Sequence, residues 1–187
     1  KAYGKHDYSN QEPVTIESIF DMASVTKIAA TTISIMKLYD QKKIDLNKKL
    51  GDYLPLVRGT DKENLTIENI LLHQAGLVSW IPFFRETIDS TTKAPLQTIY
   101  ASKQSDSFNI RVAENLYMRS DWRDTMYKRI LTSKLGPSDK YIYSDNDFIF
   151  LGNIVEAISG QTLDEYVKKT FYDPLGLSAT GFKPRER

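Results

Sequence analysis

The chain has 187 residues, 41% of them hydrophobic and 26% charged, with 25 basic against 24 acidic side chains and a formal charge of +1. That length supports one domain with its own core, and the balanced charge gives no electrostatic ground for a nucleic-acid or anionic-membrane partner. The lack of cysteine excludes disulfides, thiolate metal sites and cysteine nucleophiles, and no apolar run is long enough to span a bilayer.

In chain order, Ala2 to Tyr8 reads as a short strand, and Val14 to Ile16 as extended, with Gly4 and Ser9-Asn10 supplying turns. Ile28, Ile35, Leu38 and Tyr39 then recur at helical spacing, which predicts a helix from about Ser24 to Gln41. Asp45 to Leu54 reads as a loop with a helical turn, closed by Pro55. Thr66 is a good N-cap for a short helix with Ile67, Ile70 and Leu71 on its apolar face, ending before Gly76. Ser79 to Asn109, with Pro82, Pro95 and many Ser and Thr, reads as a long irregular excursion, a lid or wall over a site. Helical patterns are expected at Ile110–Arg119 and Ser120–Ser133, before the Gly136-Pro137 break. Phe148, Leu151, Val155 and Ile158 predict a strong helix over Asp147–Ser159 with Gly160 beyond its end. Thr162 and Glu165 form a capping box for a last helix to about Thr170. No internal repeat is present. The expected class is α+β, mainly helical.

The chemistry concentrates in Phe20-Asp21-Met22-Ala23-Ser24-Val25-Thr26-Lys27. A serine hydroxyl is a poor nucleophile until its proton is removed. Serine in the first turn of a helix with lysine three residues on puts both on one face. The positive helix end favours an alkoxide, and dipole and burial both push Lys27 toward the neutral amine that acts as a base. The bland alternative is an N-capping serine with a surface lysine. A second segment, Tyr143-Ser144-Asp145-Asn146, precedes the Phe148 helix. A tyrosine near a lysine can relay a proton; the alternative there is a half-buried tyrosine beside a helix cap.

Together these segments resemble the serine β-lactamase and penicillin-binding-protein family, in its branch of class C lactamases, D-alanyl-D-alanine carboxypeptidases and esterases. The signature of that group is Ser-x-x-Lys. "IFDMASVTK" looks like the first motif, and "LTIENILLHQAGL" like the helix ending in a His-x-Ser-Gly-Leu turn, with Ala75 where serine is common. "YSDNDFIFLGNIVEAISGQTLDEYV" resembles the second motif and its helix, and "FYDPLGLSATGF" the segment leading back to the sheet. The resemblance implies a β-lactamase/transpeptidase-like fold, with Ser24 as the acylated nucleophile, Lys27 as its proton partner and Tyr143 as acid and base. Asp145 and Ser144 fall where substrate contacts are expected. Asp145 stands where the branch often has asparagine, which leaves the contact to an amide substrate open. A competing alignment takes Ser144-Asp145-Asn146 as the class A motif and makes Ser144 the relay.

The family's third motif, a Lys-Thr-Gly or His-x-Gly strand, has no counterpart before Arg187. The chain is therefore expected to be the N-terminal part of one domain, with a short β segment over 1–16 and a helical region over 24–172. It is expected to lack the C-terminal sheet strands and one oxyanion donor, so the isolated segment should be weakly active or inactive. "WIPFFRETI…NLYMRSDWRDTMYKRILTSKLG" also resembles the β-lactamase-like module fused behind a family 3 glycoside hydrolase in Bacteroidetes-type bacteria. That resemblance implies an exported, periplasmic or outer-membrane-associated parent acting on cell-wall material.

The expected function is serine hydrolysis of β-lactams, D-alanyl peptides or small esters, without cofactor or metal. The alternatives are a catalytically impaired peptidoglycan-binding or regulatory module of a larger glycosidase, and a purely structural domain. His6 and His73, far apart and without cysteine, make a poor metal site; His73 is expected to buttress a turn near the site. Glu17 and Asp21 give little support to a glycosidase. Trp80, Phe83 and Phe84 are expected in the core rather than on a pocket wall.

Overall fold

The computed structural model describes residues 1–9 and 11–182. A helix runs over residues 25–40, a π-helical stretch Lys27–Thr32 continuing into the α-helical Ile33–Asp40; we call the whole α1. It is followed by α2 (Leu50–Tyr53), α3 (Ile67–Leu71), α4 (Trp122–Thr132), α5 (Asp145–Ser159) and α6 (Leu163–Val167). A small antiparallel sheet of β1 (Tyr100–Ala101), β2 (Ile110–Ala113) and β3 (Leu116–Met118) has the order β1-β3-β2.

The caps follow the expected chemistry. The Thr66 hydroxyl accepts from the Asn69 amide, giving α3 one of its orphan donors a partner. The reciprocal Thr162–Glu165 box opens α6, and Gly160, at φ +70°, ends α5 in the left-handed region. α6 runs into a π-helical stretch Lys168–Tyr172, so helical backbone extends slightly beyond the expected Thr170.

α5 is the central element and packs against α1, α2, α3 and α6. Phe150, Leu151, Ile154 and Val155 are buried on it and meet Ile35 and Leu38 of α1 and Ile67 and Ile70 of α3. Each such side chain contributes about 2 kcal/mol by leaving water. A smaller cluster, Ala30, Val167 and Tyr172, fixes α1 against α6, and the Tyr172 hydroxyl donates to the Ala29 carbonyl at 2.9 Å. That bond reaches the loosened π-helical part of α1, where carbonyls are free to accept from outside the helix. Ile28 and Tyr39, expected on the core face with Ile35 and Leu38, are instead exposed.

Two elements differ from expectation. Residues 110–118 form a hairpin rather than a helix. Ile110 faces inward and Arg111 outward, and Asn115 takes φ +51° at the turn, a conformation asparagine tolerates and a helix forbids. At the N-terminal end, Ala2 to Tyr8 is not a strand; one antiparallel bridge, Lys5 to Pro13, is what forms among the described residues of that segment. Gly4 at φ +80° breaks the extended backbone there, and a strand without a continuous ladder partner has no stability of its own. The second half of the Ser9-Asn10 turn lies outside the described residues. The excursion over 79–109 is largely irregular, with one 3-10 turn at Phe83–Glu86. Phe83 packs against the core, but Trp80 and Phe84 are about half exposed and stack on each other at 6.4 Å, so the core expectation fails for those two.

Candidate active site

The N-terminal end of α1 is built on a strained residue. Ala23 sits at φ +42°, a left-handed conformation that costs a non-glycine residue about 1 kcal/mol. Two contacts hold it: Asp21 Oδ1 accepts from the Ala23 amide at 2.8 Å, and the Ala23 carbonyl accepts from the Thr26 amide at 3.1 Å. This sharp entry leaves Ser24 exposed at the positive end of the helix. One turn later the Lys27 ammonium donates to Ser24 Oγ at 3.1 Å.

The second part of the site comes from a ribbon of backbone bonds between residues 73–79 and 136–146. The Gly136, Asp139, Ile142 and Asp145 amides donate in turn to the carbonyls of Gly76, Gln74, His73 and Ser79. Ser79 Oγ also donates to the Tyr143 carbonyl at 2.7 Å. Gly76 is required here. Its φ is +75°, and a Cβ on it would lie 2.7 Å from the Gly136 carbonyl oxygen. The ribbon delivers Tyr143 and Asp145 to the mouth of α1. Asp145 Oδ1 lies 2.6 Å from Lys27 Nζ, with the lysine side chain 15% and the aspartate 49% exposed. Lys27 Nζ also sits 4.9 Å from the Tyr143 ring centre and 5.9 Å from that of Phe148.

The electrostatics follow from these contacts. Burial pushes the Lys27 ammonium down, but hydrogen bonding to Asp145 and Tyr143 outweighs it, and Lys27 ends above the ordinary lysine value. This corrects the expectation of a neutral amine: the expected burial is present, and the Asp145 carboxylate overrides it. Tyr143 moves the other way. Hydrogen bonding to the Lys27 ammonium, then to Ser24, lowers its phenol below the usual tyrosine value. Of the two groups, the phenol is the one brought closer to its basic form.

Ser24, Lys27, Tyr143 and Asp145 thus converge, and Ser144 does not. Ser144 is fully buried. Its hydroxyl donates to the Val78 carbonyl at 2.6 Å and accepts from the Asn146 amide at 3.1 Å, the bonds of a helix N-cap. The class A alignment, with Ser144 as relay or substrate contact, is set aside on that geometry. Sequence reasoning missed Asp147. It is buried in the first turn of α5, with Oδ2 2.7 Å from His73 Nδ1. His73 does buttress the ribbon turn, at φ +56°, with its ring 4.7 Å from that of Tyr143. No group of three or more His, Asp or Glu side chains able to hold a metal occurs among the described residues.

The family model described as Beta-lactamase matches residues 1–187. A protein of Salmonella paratyphi A named "Putative D-alanyl-D-alanine carboxypeptidase" is 34% identical over 178 residues, which is 91% of this chain and 35% of that protein. Its Salmonella schwarzengrund counterpart is 34% identical over 180 residues, with the same coverage. The chain therefore spans about a third of the length of the curated relatives it matches. Among solved structures, the penicillin binding protein from Bacillus halodurans superposes with a TM-score of 0.64 at 21% identity, over 97% of this chain and 47% of that one. A penicillin-binding protein homologue from Caulobacter crescentus gives 0.63 at 22%, over 93% and 39%. A class C beta-lactamase gives 0.59 at 21%, over 89% and 37%. At these identities the structural likeness concerns the fold, which is the mainly helical part of the β-lactamase/transpeptidase architecture. With the whole chain matched by one family and the same fold found in penicillin-binding proteins and a class C enzyme, the chain belongs to the beta-lactamase family of serine hydrolases.

Proposed function

We propose that the parent protein is a serine acyl-transfer hydrolase that forms an acyl-enzyme on Ser24, acting on D-alanyl peptides, β-lactams or small esters. The observation that carries this reading is the convergence on Ser24 of an ammonium at 3.1 Å and a phenol whose proton that ammonium loosens. Lys27 remains the cation throughout. Tyr143, as phenolate, takes the Ser24 proton while Oγ bonds to the substrate carbonyl carbon. The same phenol returns that proton to the departing nitrogen or oxygen as the carbonyl–leaving-group bond breaks. Water then attacks the acyl-enzyme, Tyr143 taking its proton and passing one to Ser24 Oγ as the ester opens. The Ser24 amide, at the start of α1, is one donor for the developing oxyanion.

The curated relatives' name favours a D-alanyl peptide over the other two substrate classes. Such a substrate belongs to the cell wall and is in keeping with an exported parent, in which a fused family 3 glycoside hydrolase would act on the same material. The binding-module alternative has less support, because a site that only held peptide would not need a lysine and a phenol aimed at one hydroxyl. The test is covalent labelling of the full-length protein with a fluorescent penicillin and with a fluorophosphonate. A label mapped to the Ser24 peptide and absent in Ser24→Ala is expected. Labelling that survives Ser24→Ala, or no labelling of the wild type by either probe, refutes the proposal.

A further inference from the structure

Beneath Tyr143 lies a buried pair that the proposed reaction does not use. His73 is 8% and Asp147 1% exposed. Two atoms approach the same ring nitrogen, His73 Nδ1: the Ser144 amide nitrogen at 3.2 Å and Asp147 Oδ2 at 2.7 Å. An amide N–H can only donate, so it needs a lone pair on Nδ1. Nδ1 has a single lone pair, which the amide and Asp147 then share, and a proton on the aspartate oxygen is the arrangement in which both contacts are donors to it.

We propose that Asp147 is a neutral carboxylic acid donating to the neutral, Nε2-protonated His73, and that this pair is the positioning element that sets the Tyr143 ring over Lys27. Three further observations agree. Asp147 Oδ1 is buried with no hydrogen-bond partner among the described residues, a costly state for a full carboxylate and a lesser one for an acid. Burial raises the Asp147 carboxyl to about 8. Burial, and then the Lys27 charge, lower the His73 imidazole despite Asp145, so neither ring nor acid gains by charging. The groups that face the pair are the charges of Lys27 and Asp145 and the rings of Tyr141, Tyr143 and Phe148.

The positioning follows from contact. His73 is tilted against Tyr143 with centroids 4.7 Å apart, and its carbonyl accepts from the Ile142 amide at 2.8 Å. The ring orientation is fixed by whichever donor holds Nδ1. Losing the shorter contact leaves the 3.2 Å Ser144 amide on Nδ1 and loosens the ring that supports the phenol, while Ser24 and Lys27 stay where α1 puts them.

The proton placement is independent of the proposed activity; its kinetic consequence rests on the hydrolase reading. Both are tested on the full-length protein. Nitrogen NMR of His73 at neutral pH should show an unprotonated Nδ1 and a protonated Nε2. Infrared difference spectra should show a protonated-carboxyl band that Asp147→Asn removes. A protonated Nδ1, or no such band, overturns the proposal whatever the enzyme does. In kinetics, Asp147→Asn keeps an N–H donor for Nδ1 and should leave kcat near the wild-type value. Asp147→Leu should lower kcat by about a hundredfold with KM little changed, the size of effect expected from a small misplacement of a reacting group. Equal losses in the two variants, or none in Asp147→Leu, overturn the positioning role. A wild type that forms no acyl-enzyme would refute the hydrolase reading and leave the spectroscopic result standing.

Discussion

Asp147→Asn has a thermodynamic signature that the structure lets us work out. The Asp147 carboxyl has an ordinary value of 3.8 and is raised by burial to about 8 in the folded chain. Between those values the folded state binds a proton that the unfolded state has released. Stability therefore falls as pH rises through this window, by about 1.4 kcal/mol per pH unit. From pH 5 to pH 8 the wild type loses about 4 kcal/mol from this one group. Asparagine has nearly the same shape, keeps a donor toward His73 and does not titrate. The imidazole, lowered by burial, costs stability below about pH 6.5 in both proteins and cancels in the comparison. Urea unfolding of the full-length wild type and variant at pH 5, 6.5 and 8 should show the variant gaining on the wild type as pH rises, by up to about 4 kcal/mol at the top of the range. A stability difference that is constant with pH would refute the reasoning. So would one that moves against the variant as pH rises, because a carboxyl raised by burial predicts the opposite sign.

Asp145→Asn removes the hydrogen-bonding carboxylate that outweighs burial at Lys27, so the ammonium should deprotonate at lower pH. The alkaline limb of the pH profile for Ser24 acylation should then move to lower pH, and an unmoved limb would mean that Lys27 does not act as the cation. Gly76→Ala places a Cβ 2.7 Å from the Gly136 carbonyl oxygen at φ +75°. It should destabilise the protein by about 1–3 kcal/mol, read as a lowered Tm, and slow Ser24 labelling by displacing the ribbon that carries Tyr143. A variant as stable and as reactive as the wild type would show that this close approach does not set the site.

The parts of this chain legible in sequence are those governed by local rules. Ser24 to Gln41 and Asp147 to Ser159 show a 3.6-residue apolar period over several turns, and α1 and α5 lie within two residues of those bounds. The Thr66 cap and the Thr162–Glu165 box are single-turn chemistry and form as expected. The hairpin at 110–118 was not legible, because the inward-facing Ile110 and the run Leu116-Tyr117-Met118 fit either period. The deciding feature is the left-handed Asn115, which tertiary pairing selects. In the site, Ser24, Lys27 and Tyr143 could be named from the resemblance of their segments to the family's motifs, which spacing alone would not have carried. The Lys27–Asp145 contact could not, since it spans 118 residues and reverses the direction that burial alone implied for the lysine. Asp147 was hidden because an acid in the first turn of a helix reads as a partner for the helix dipole.

Asp145 and Asp147 lie in the same turn of α5, yet their surroundings divide them. Asp145 is half exposed and faces an ammonium at 2.6 Å, whereas Asp147 is enclosed, meets an imidazole nitrogen and has one oxygen without a hydrogen-bond partner among the described residues. Separated environments of this kind are how one fold assigns different proton states to like side chains. The division matters for Tyr143. Asp145 already works against its ionisation, and the Lys27 charge works for it. A second carboxylate at Asp147 would add another anion behind the same phenol, with the lysine's favourable charge unchanged. Keeping Asp147 neutral would leave one cation and one anion around Ser24, the balance under which the phenol lies below its usual value.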